Sequence, residues 1–363
     1  MREKIILVMS LAALLAAACV KKPGPKPGGE VLQETSTVKF WGYKLTVPVN
    51  ATLEQLDDHL TKPESLKMDV GKIARIEQVS GVKKLTKPGD HCDYEIKTAG
   101  FTIPYRLTMI RYEPNQEIWY MTETMKDFLV TILRYELKPA RNGTHLTVKF
   151  EMEEPRTAFT KSVDQAMNLH AAMVSGTEEG TAWIQQIFDP SVTVAGLLEG
   201  GERGENYVGF FTENRMSIYI DAPAGKVHEY LSSPETWAEW EKNYKVRNLG
   251  PCLTGQQPEG CQAVISILGV DYKLDFSVSL YEPGKFTSSY FTSPVVGIGR
   301  IQTFLNPRDK GTDLVIDYMV QLSQSNPAGT EFLVNLTQLP GTVERMLKET
   351  KANLEPKVSR ATP

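Results

Sequence analysis

The feature that most constrains this chain is that it carries the same pattern twice. Val47-Pro48-Val49-Asn50-Ala51, followed by Leu56, Leu60, Pro63 and Glu64, aligns without a gap on Ile218-Tyr219-Ile220-Asp221-Ala222, followed by Val227, Leu231, Pro234 and Glu235. The offset is 171 residues, Asn50 to Asp221. Farther on, Cys92, Gly100 and Tyr112-Glu113-Pro114 match Cys261, Gly269 and Tyr281-Glu282-Pro283 at an offset of 169. Gly143-Thr144 with Leu146, Val148 and Phe150 matches Gly311-Thr312 with Leu314, Ile316 and Tyr318 at 168. Such a drift is loop-length variation. The period far exceeds the roughly 20–50 residues of solenoid and propeller repeats, so each copy is read as a complete domain.

The N-terminus reads as a secretory signal. Arg2 and Lys4 precede an apolar run from Ile5 to Ala18 that ends in small residues before Cys19, and the run is short for a membrane span. Leu15-Ala16-Ala17-Ala18-Cys19 resembles a bacterial lipobox, with Ala16 where Leu is usual. That resemblance implies cleavage after residue 18, acylation of Cys19 by chains such as palmitate, and, with Val20 rather than Asp next, an outer-membrane lipoprotein facing the periplasm. The alternative is an ordinary cleaved signal with an incidental cysteine. Residues 19–36 hold the Pro/Gly-rich stretch from Lys21 to Gly29, which reads as a tether. The domains are then expected at 37–197 and 205–363.

A formal charge of −4 over 363 residues leaves no basic excess for nucleic acid. Hydrophobic residues, 41% of the chain, are enough to fill two ordinary cores. His59, His91, His145, His170 and His228 lie singly without ligand spacing, so no metal is expected. No phosphate-binding glycine loop, Gly-x-Ser-x-Gly elbow or His-Glu-x-x-His appears, and no cofactor is expected. Gly297-Ile298-Gly299 lacks the third glycine of a dinucleotide fingerprint and reads as a strand kink or loop. Cys252 and Cys261 flank a turn-rich loop, so a disulfide between them would staple a hairpin; alternatively Cys261 is a buried strand thiol like Cys92.

Each copy reads as a strand, a helix, many strands and a closing helix. Met216–Asp221 is a first strand, and Ala222–Leu231 a helix with Asp221 as N-cap and Pro223 at its first position. Phe101, Ile103, Tyr105, Leu107 and Met109, then Leu146, Val148, Phe150 and Met152, alternate with mostly polar or smaller residues. Tyr272, Leu274, Phe276, Val278 and Leu280 do the same in the second copy. This period of two marks antiparallel strands with one apolar and one wet face. Arg106, Arg111, Lys273, Asp275 and Glu151-Met152-Glu153-Glu154 are assigned to wet positions. The second copy closes on a helix with Val343, Met346, Leu347, Thr350 and Leu354 in one stripe. In the first, Thr157–Phe188 carries Val163, Ala166, Met167, His170, Met173, Trp183, Ile184 and Ile187, with interruptions expected at Gly176 and Gly180.

From Ile218 through Ala224, then Val227, Tyr230-Leu231, Pro234 and Trp237-x-x-Trp240, with Tyr281-Glu282-Pro283-Gly284-Lys285 at a strand turn, the chain resembles the START/polyketide-cyclase-like (SRPBCC) superfamily. The first copy departs from it, with Leu66 and Asp69 in place of the two tryptophans, which are themselves read as packing residues. The resemblance implies an α+β fold of two tandem helix-grip domains, each a curved antiparallel sheet wrapped around a long C-terminal helix. It also implies a cavity for lipids or polycyclic compounds. Lining residues would be Tyr105, Leu107, Met109, Phe150 and Met167 in the first domain and Tyr272, Leu274, Phe276, Tyr318 and Met346 in the second; the second is favoured as the binder. The function expected is non-enzymatic binding or transport of a hydrophobic molecule in the bacterial envelope. Its partners would be an apolar small molecule or lipid, the membrane through Cys19, and, as a further candidate, another envelope protein. A cyclase/aromatase- or hydrolase-like enzyme and a structural adaptor with filled cavities are the alternatives.

Overall fold

The computed structural model describes residues 30–66, 75–98, 101–124, 130–192, 204–233, 235–236, 246–248, 261–267, 270–293, 297–321 and 339–355. The chain divides into two compact units. The first comprises Lys39–Thr86 with His91–Gly209, and the second Phe210–Pro363 with Gly24–Val38 and Lys87–Asp90, so the strands Leu32–Val49 and Glu205–Ile220 each begin in one unit and end in the other. Among the described residues no helix is long and apolar enough to cross a membrane.

The first unit runs β1 (Leu32–Val49), α1 (Leu53–Leu60), a one-turn helix at Pro63–Leu66, then β2 (Arg75–Gly81), β3 (His91–Thr98), β4 (Phe101–Glu113), β5 (Glu117–Thr124), β6 (Val130–Ala140) and β7 (Gly143–Glu153), closing on α2 (Ala158–Met167) and α3 (Leu169–Phe188). Its strands lie in the order β2-β3-β4-β5-β6-β7-β1, every pair antiparallel. The second unit runs β8 (Glu205–Ile220), α4 (Ala224–Ser232), β9 (Val246–Asn248), β10 (Cys261–Ile267), β11 (Val270–Glu282), β12 (Phe286–Ser293), β13 (Gly297–Arg308), β14 (Gly311–Gln321) and α5 (Leu339–Leu354). Its order is β8-β14-β13-β12-β11-β10-β9, again antiparallel. In each unit one sheet face shares a hydrophobic core with the helices, and Leu56, Leu60, Met173 and Ile184 do this in the first as Val227, Val343 and Leu347 do in the second.

Local features recur at the paired positions. The strands β4 and β11 each shift register at equivalent places, between Met109 and Arg111 and between Val278 and Leu280. The following turns close with the same backbone bonds, Gln116 N–H to Glu113 O and Lys285 N–H to Glu282 O, both 3.0 Å. The hydroxyls of Thr144 and Thr312 each donate at 2.8 Å to the carbonyls of Ala51 and Ala222, tying β7 and β14 to the exits of β1 and β8. Beside them, a Cβ on Gly143 would stand 2.3 Å from Val49 O, and one on Gly311 2.4 Å from Ile220 O. Only glycine admits the neighbouring backbone so closely.

Several details differ from the sequence reading. Strand β8 begins at Glu205, well before Met216, and α4 is capped by Pro223 without a side-chain bond; Asp221 N–H instead donates to Glu355. Helix α1 has the side-chain cap that α4 lacks, a reciprocal Thr52–Gln55 box. Gly176 and Gly180 do not interrupt α3; the break falls at Asn168, whose left-handed φ of 50° ends α2 and whose side chain caps α3. Trp183 and Ile187, named among the apolar residues of the closing region, are 39% and 42% exposed. The register shift in β11 turns Leu280 away from the helix side to a separate cluster with Phe286, Phe304 and Val315.

The wet face of the first unit is also corrected. Glu151 and Glu153 are buried, and Arg111 and Arg134 stack on Trp119 at 5.1 and 4.5 Å. Arg134 pairs with Glu151, and Arg111 with Glu113 and, at 2.8 Å, with Glu117. Arg106 is bound to Asp93 at 2.6 Å. Alternation reports which face a residue is on, whereas cross-strand pairing decides whether its charge can leave water.

Candidate functional site

The registers set the helix-side face of each sheet as rungs that can be compared residue by residue. One rung crosses the first unit as Met109, Tyr120, Leu133, Phe150 and Tyr43. Its counterpart is Val278, Ser289, Ile301, Tyr318 and Asn214. The next rung toward the β4–β5 and β11–β12 turns reads Tyr112, Ile118, Tyr135, Val148 and Leu45 against Tyr281, Thr287, Thr303, Ile316 and Met216. Toward the other end stand Leu107, Thr122, Thr131, Met152 and Trp41 against Phe276, Phe291, Gly299, Val320 and Thr212.

In the first unit tyrosines fill the middle of the interior, while Trp41, Tyr105 and Phe150 on the same face stay partly exposed. Tyr120 and Tyr135 pack edge to face at 6.3 Å and are 0% and 2% exposed. Tyr94 and Tyr105 stack at 5.1 Å. The hydroxyls of Tyr120 and Tyr94 donate to Leu60 O at 2.9 Å and Pro63 O at 3.0 Å, and Tyr43 donates to Glu178 on α3 at 2.5 Å. Burial pushes the pKa values of all of these phenols up, which keeps them neutral. Asp57 on α1 is buried and accepts from Tyr112 at 2.8 Å and from the Asn115 N–H at 2.9 Å, fixing the helix to the β4–β5 turn.

The second unit substitutes smaller groups at the same places. Ser289 stands for Tyr120, Thr303 for Tyr135, Asn214 for Tyr43, and Leu274 for Tyr105. Ser289, Ile301 and Thr303 lie in mid-sheet on the helix side and remain partly exposed, as do Phe276 on β11 and Met346 on α5. The fully buried members around them are Leu274, Ile316, Val320, Val343 and Leu347. Gly299 lets the Phe291 ring lie against the strand, since a Cβ there would stand 1.9 Å from the ring; this is the role of the Gly297-Ile298-Gly299 segment. Within this apolar surface the Tyr318 hydroxyl is buried and makes no hydrogen bond among the described residues. Burial pushes its pKa up as well.

Of the residues expected to line a cavity, Leu107, Met109, Leu274 and Tyr318 are fully buried core members. Tyr105, Phe150, Phe276 and Met346 are only partly buried. The side chains of Met167 and Tyr272 fall outside the described residues, as do Cys19, Cys252, Trp237 and Trp240; Cys261 is placed only as the first residue of β10. Cys92 is a buried thiol that donates to Val82 O at 3.5 Å. The sequence reading missed Ser289, Ile301 and Thr303, although the internal repeat already sets Ser289 against Tyr120 and Thr303 against Tyr135. No group of acids, histidines and cysteines capable of holding a metal gathers among the described residues.

No protein-family model matches the chain, and no curated protein does. Solved structures similar to it include the di-domain ARO/CYC BexL from the BE-7585A biosynthetic pathway, at 12% identity and a TM-score of 0.34, covering 90% of this chain and 99% of that one. The di-domain ARO/CYC StfQ from the steffimycin pathway is similar at 11% identity, a TM-score of 0.34, and coverages of 89% and 98%. The protein CV1439 from Chromobacterium violaceum covers 41% of this chain and 97% of its own, at 14% identity and a TM-score of 0.33. Likenesses this distant carry no information on ligand or activity.

Proposed function

We propose that this chain is a carrier of two tandem helix-grip domains that holds an apolar molecule between the sheet and the closing helix of its second domain. The observation behind this reading is the exchange of large for small residues on that face. Tyrosines that plug the first unit are replaced by Ser289 and Thr303, and mid-sheet apolar groups there stay partly exposed. A two-layer domain normally buries such positions, and an apolar concavity bearing few polar groups is the ordinary form of a small-molecule site. Cys19 would tether the carrier to an envelope membrane through the Pro/Gly-rich segment.

Titration of the full chain with the neutral dye N-phenyl-1-naphthylamine tests the reading. Saturable binding is expected, and the double variant Ser289→Tyr, Thr303→Tyr, which rebuilds the plugs of the first unit, should weaken it at least about tenfold with the fold retained. In a filled core the same insertions would instead cost stability by overpacking, about 1–3 kcal/mol each. Absence of saturable binding in the unaltered chain would end the carrier reading. The tether is tested by Cys19→Ala, which should abolish recovery with the membrane fraction.

A further inference from the structure

We infer that the ligand held by the second unit is a neutral apolar molecule bearing a hydrogen-bonding oxygen, a ketone, ester or alcohol, seated against the Tyr318 hydroxyl. This rests on the proposed function and specifies what occupies the same site. Tyr318 lies on β14 between Ile301 of β13 and Asn214 of β8, and 1% of it is exposed. Its aromatic body belongs to the core with Ile316, Val320, Val343 and Leu347, while its hydroxyl has no partner among the described residues.

A buried hydroxyl left without a partner is costly, and such groups in folded proteins ordinarily have one. The paired position in the first unit is Phe150, so the frame accepts a ring without the oxygen. The hydroxyl is therefore not required for packing. Its own unit supplies no acceptor among the described residues, so the partner that suits it comes from a bound molecule. The charge of that molecule follows from its surroundings. Along the three rungs of the second unit the side chains are apolar, hydroxyl or amide, and the only ionisable ones are the phenols of Tyr318 and Tyr281. A carboxylate or phosphate placed there would lose hydration with no cation on those rungs to receive it. Tyr281 already shares a 2.8 Å hydrogen bond with His228, so Tyr318 is the phenol left to orient a ligand, beside the hydroxyls of Ser289 and Thr303.

Three pyrenes of similar size, used on the full chain, test this: 1-ethylpyrene, 1-acetylpyrene and pyrene-1-carboxylate. The ketone should bind about tenfold more tightly than the hydrocarbon, the gain of one hydrogen bond, and the carboxylate most weakly. Tyr318→Phe, which copies the Phe150 of the first unit, should erase the ketone's advantage over 1-ethylpyrene. Its thermal midpoint should be equal to or above that of the parent. A ketone preference that survives in Tyr318→Phe, or a carboxylate that binds best, overturns the assignment. Equal binding of ketone and hydrocarbon to the parent overturns it too while leaving the carrier reading intact. Failure of all three to bind removes both.

Discussion

The two units share a frame and differ in what fills it. The hydrogen bonds from Thr144 and Thr312 recur at equal length, and the register shifts in β4 and β11 fall at paired positions. The closing helices are tied down alike: Gln185 donates to Pro48 O and Lys351 to Tyr219 O, on paired carbonyls. Setting Gln185 against Lys351 places Thr177, Gly180 and Thr181 of α3 opposite Val343, Met346 and Leu347 of α5. The first unit thus sets large tyrosines on the sheet against small helix residues. The second sets small sheet residues against a bulkier helix, and does not bury all of them. Contacts to backbone carbonyls survive divergence because any sequence presents those carbonyls, whereas interior volume can be redistributed between layers as long as the total is kept.

The comparison can be broken most sharply at the paired glycines. Gly143→Ala should destabilise the first unit by about 3 kcal/mol, because φ is +124° and the new Cβ meets Val49 O. Gly311→Ala should cost less, about 2 kcal/mol, since it faces the close carbonyl without the left-handed backbone. Hydrogen exchange resolved by unit would read both, and equal losses would mean that the close carbonyl alone governs the position.

The helix-to-turn contact tests the next difference. Asp57→Ala leaves the Tyr112 hydroxyl and the Asn115 N–H without their acceptor and should cost about 2 kcal/mol. Its counterpart contact, His228 with Tyr281, is only partly buried, so His228→Ala should cost under about 1 kcal/mol. Chemical denaturation of the two variants would separate them, and a larger loss at His228 would reverse the assignment of the stronger contact.

The smallest effect is in pH. His59 is held between Trp183 and Phe188, with Ser65 at its Nδ1. Burial lowers its pKa and Lys62 lowers it further, while Asp58 and Glu64 act in the opposite direction. Burial likewise lowers His228. A histidine whose folded pKa lies below its unfolded value of about 6.5 binds its proton more readily when unfolded. Its contribution is therefore complete above that value and declines as pH falls through it toward the folded pKa. The unfolding midpoint should drop between neutral and mildly acidic pH, and His59→Gln should flatten the slope of the first unit alone. A slope unchanged in His59→Gln and His228→Gln would assign it to other groups.

Strand faces and closing helices were legible because period-two and period-3.6 patterns report local geometry directly. Leu107, Met109, Leu274, Val343 and Leu347 are buried where those periods put them. Harder to read were positions decided by a neighbour distant in sequence. Leu280 has the right parity yet leaves the core, because a register shift inserts a residue. Glu151 carries a charge and is buried, because Arg134 on the next strand accompanies it.

The duplication, the alternation of the strands and the positions of the turns are all written in spacing along the chain. The tertiary structure shows what spacing could not: Tyr120 and Tyr135 are buried while Ser289 and Thr303 at the paired positions stay partly exposed, and Tyr318, in register between Ile301 and Asn214, has a hydroxyl with no partner among the described residues. Spacing states which residues share a face. How completely that face is covered, and whether a buried hydroxyl finds an acceptor, depend on volumes and partners supplied by strands and helices far apart in the chain.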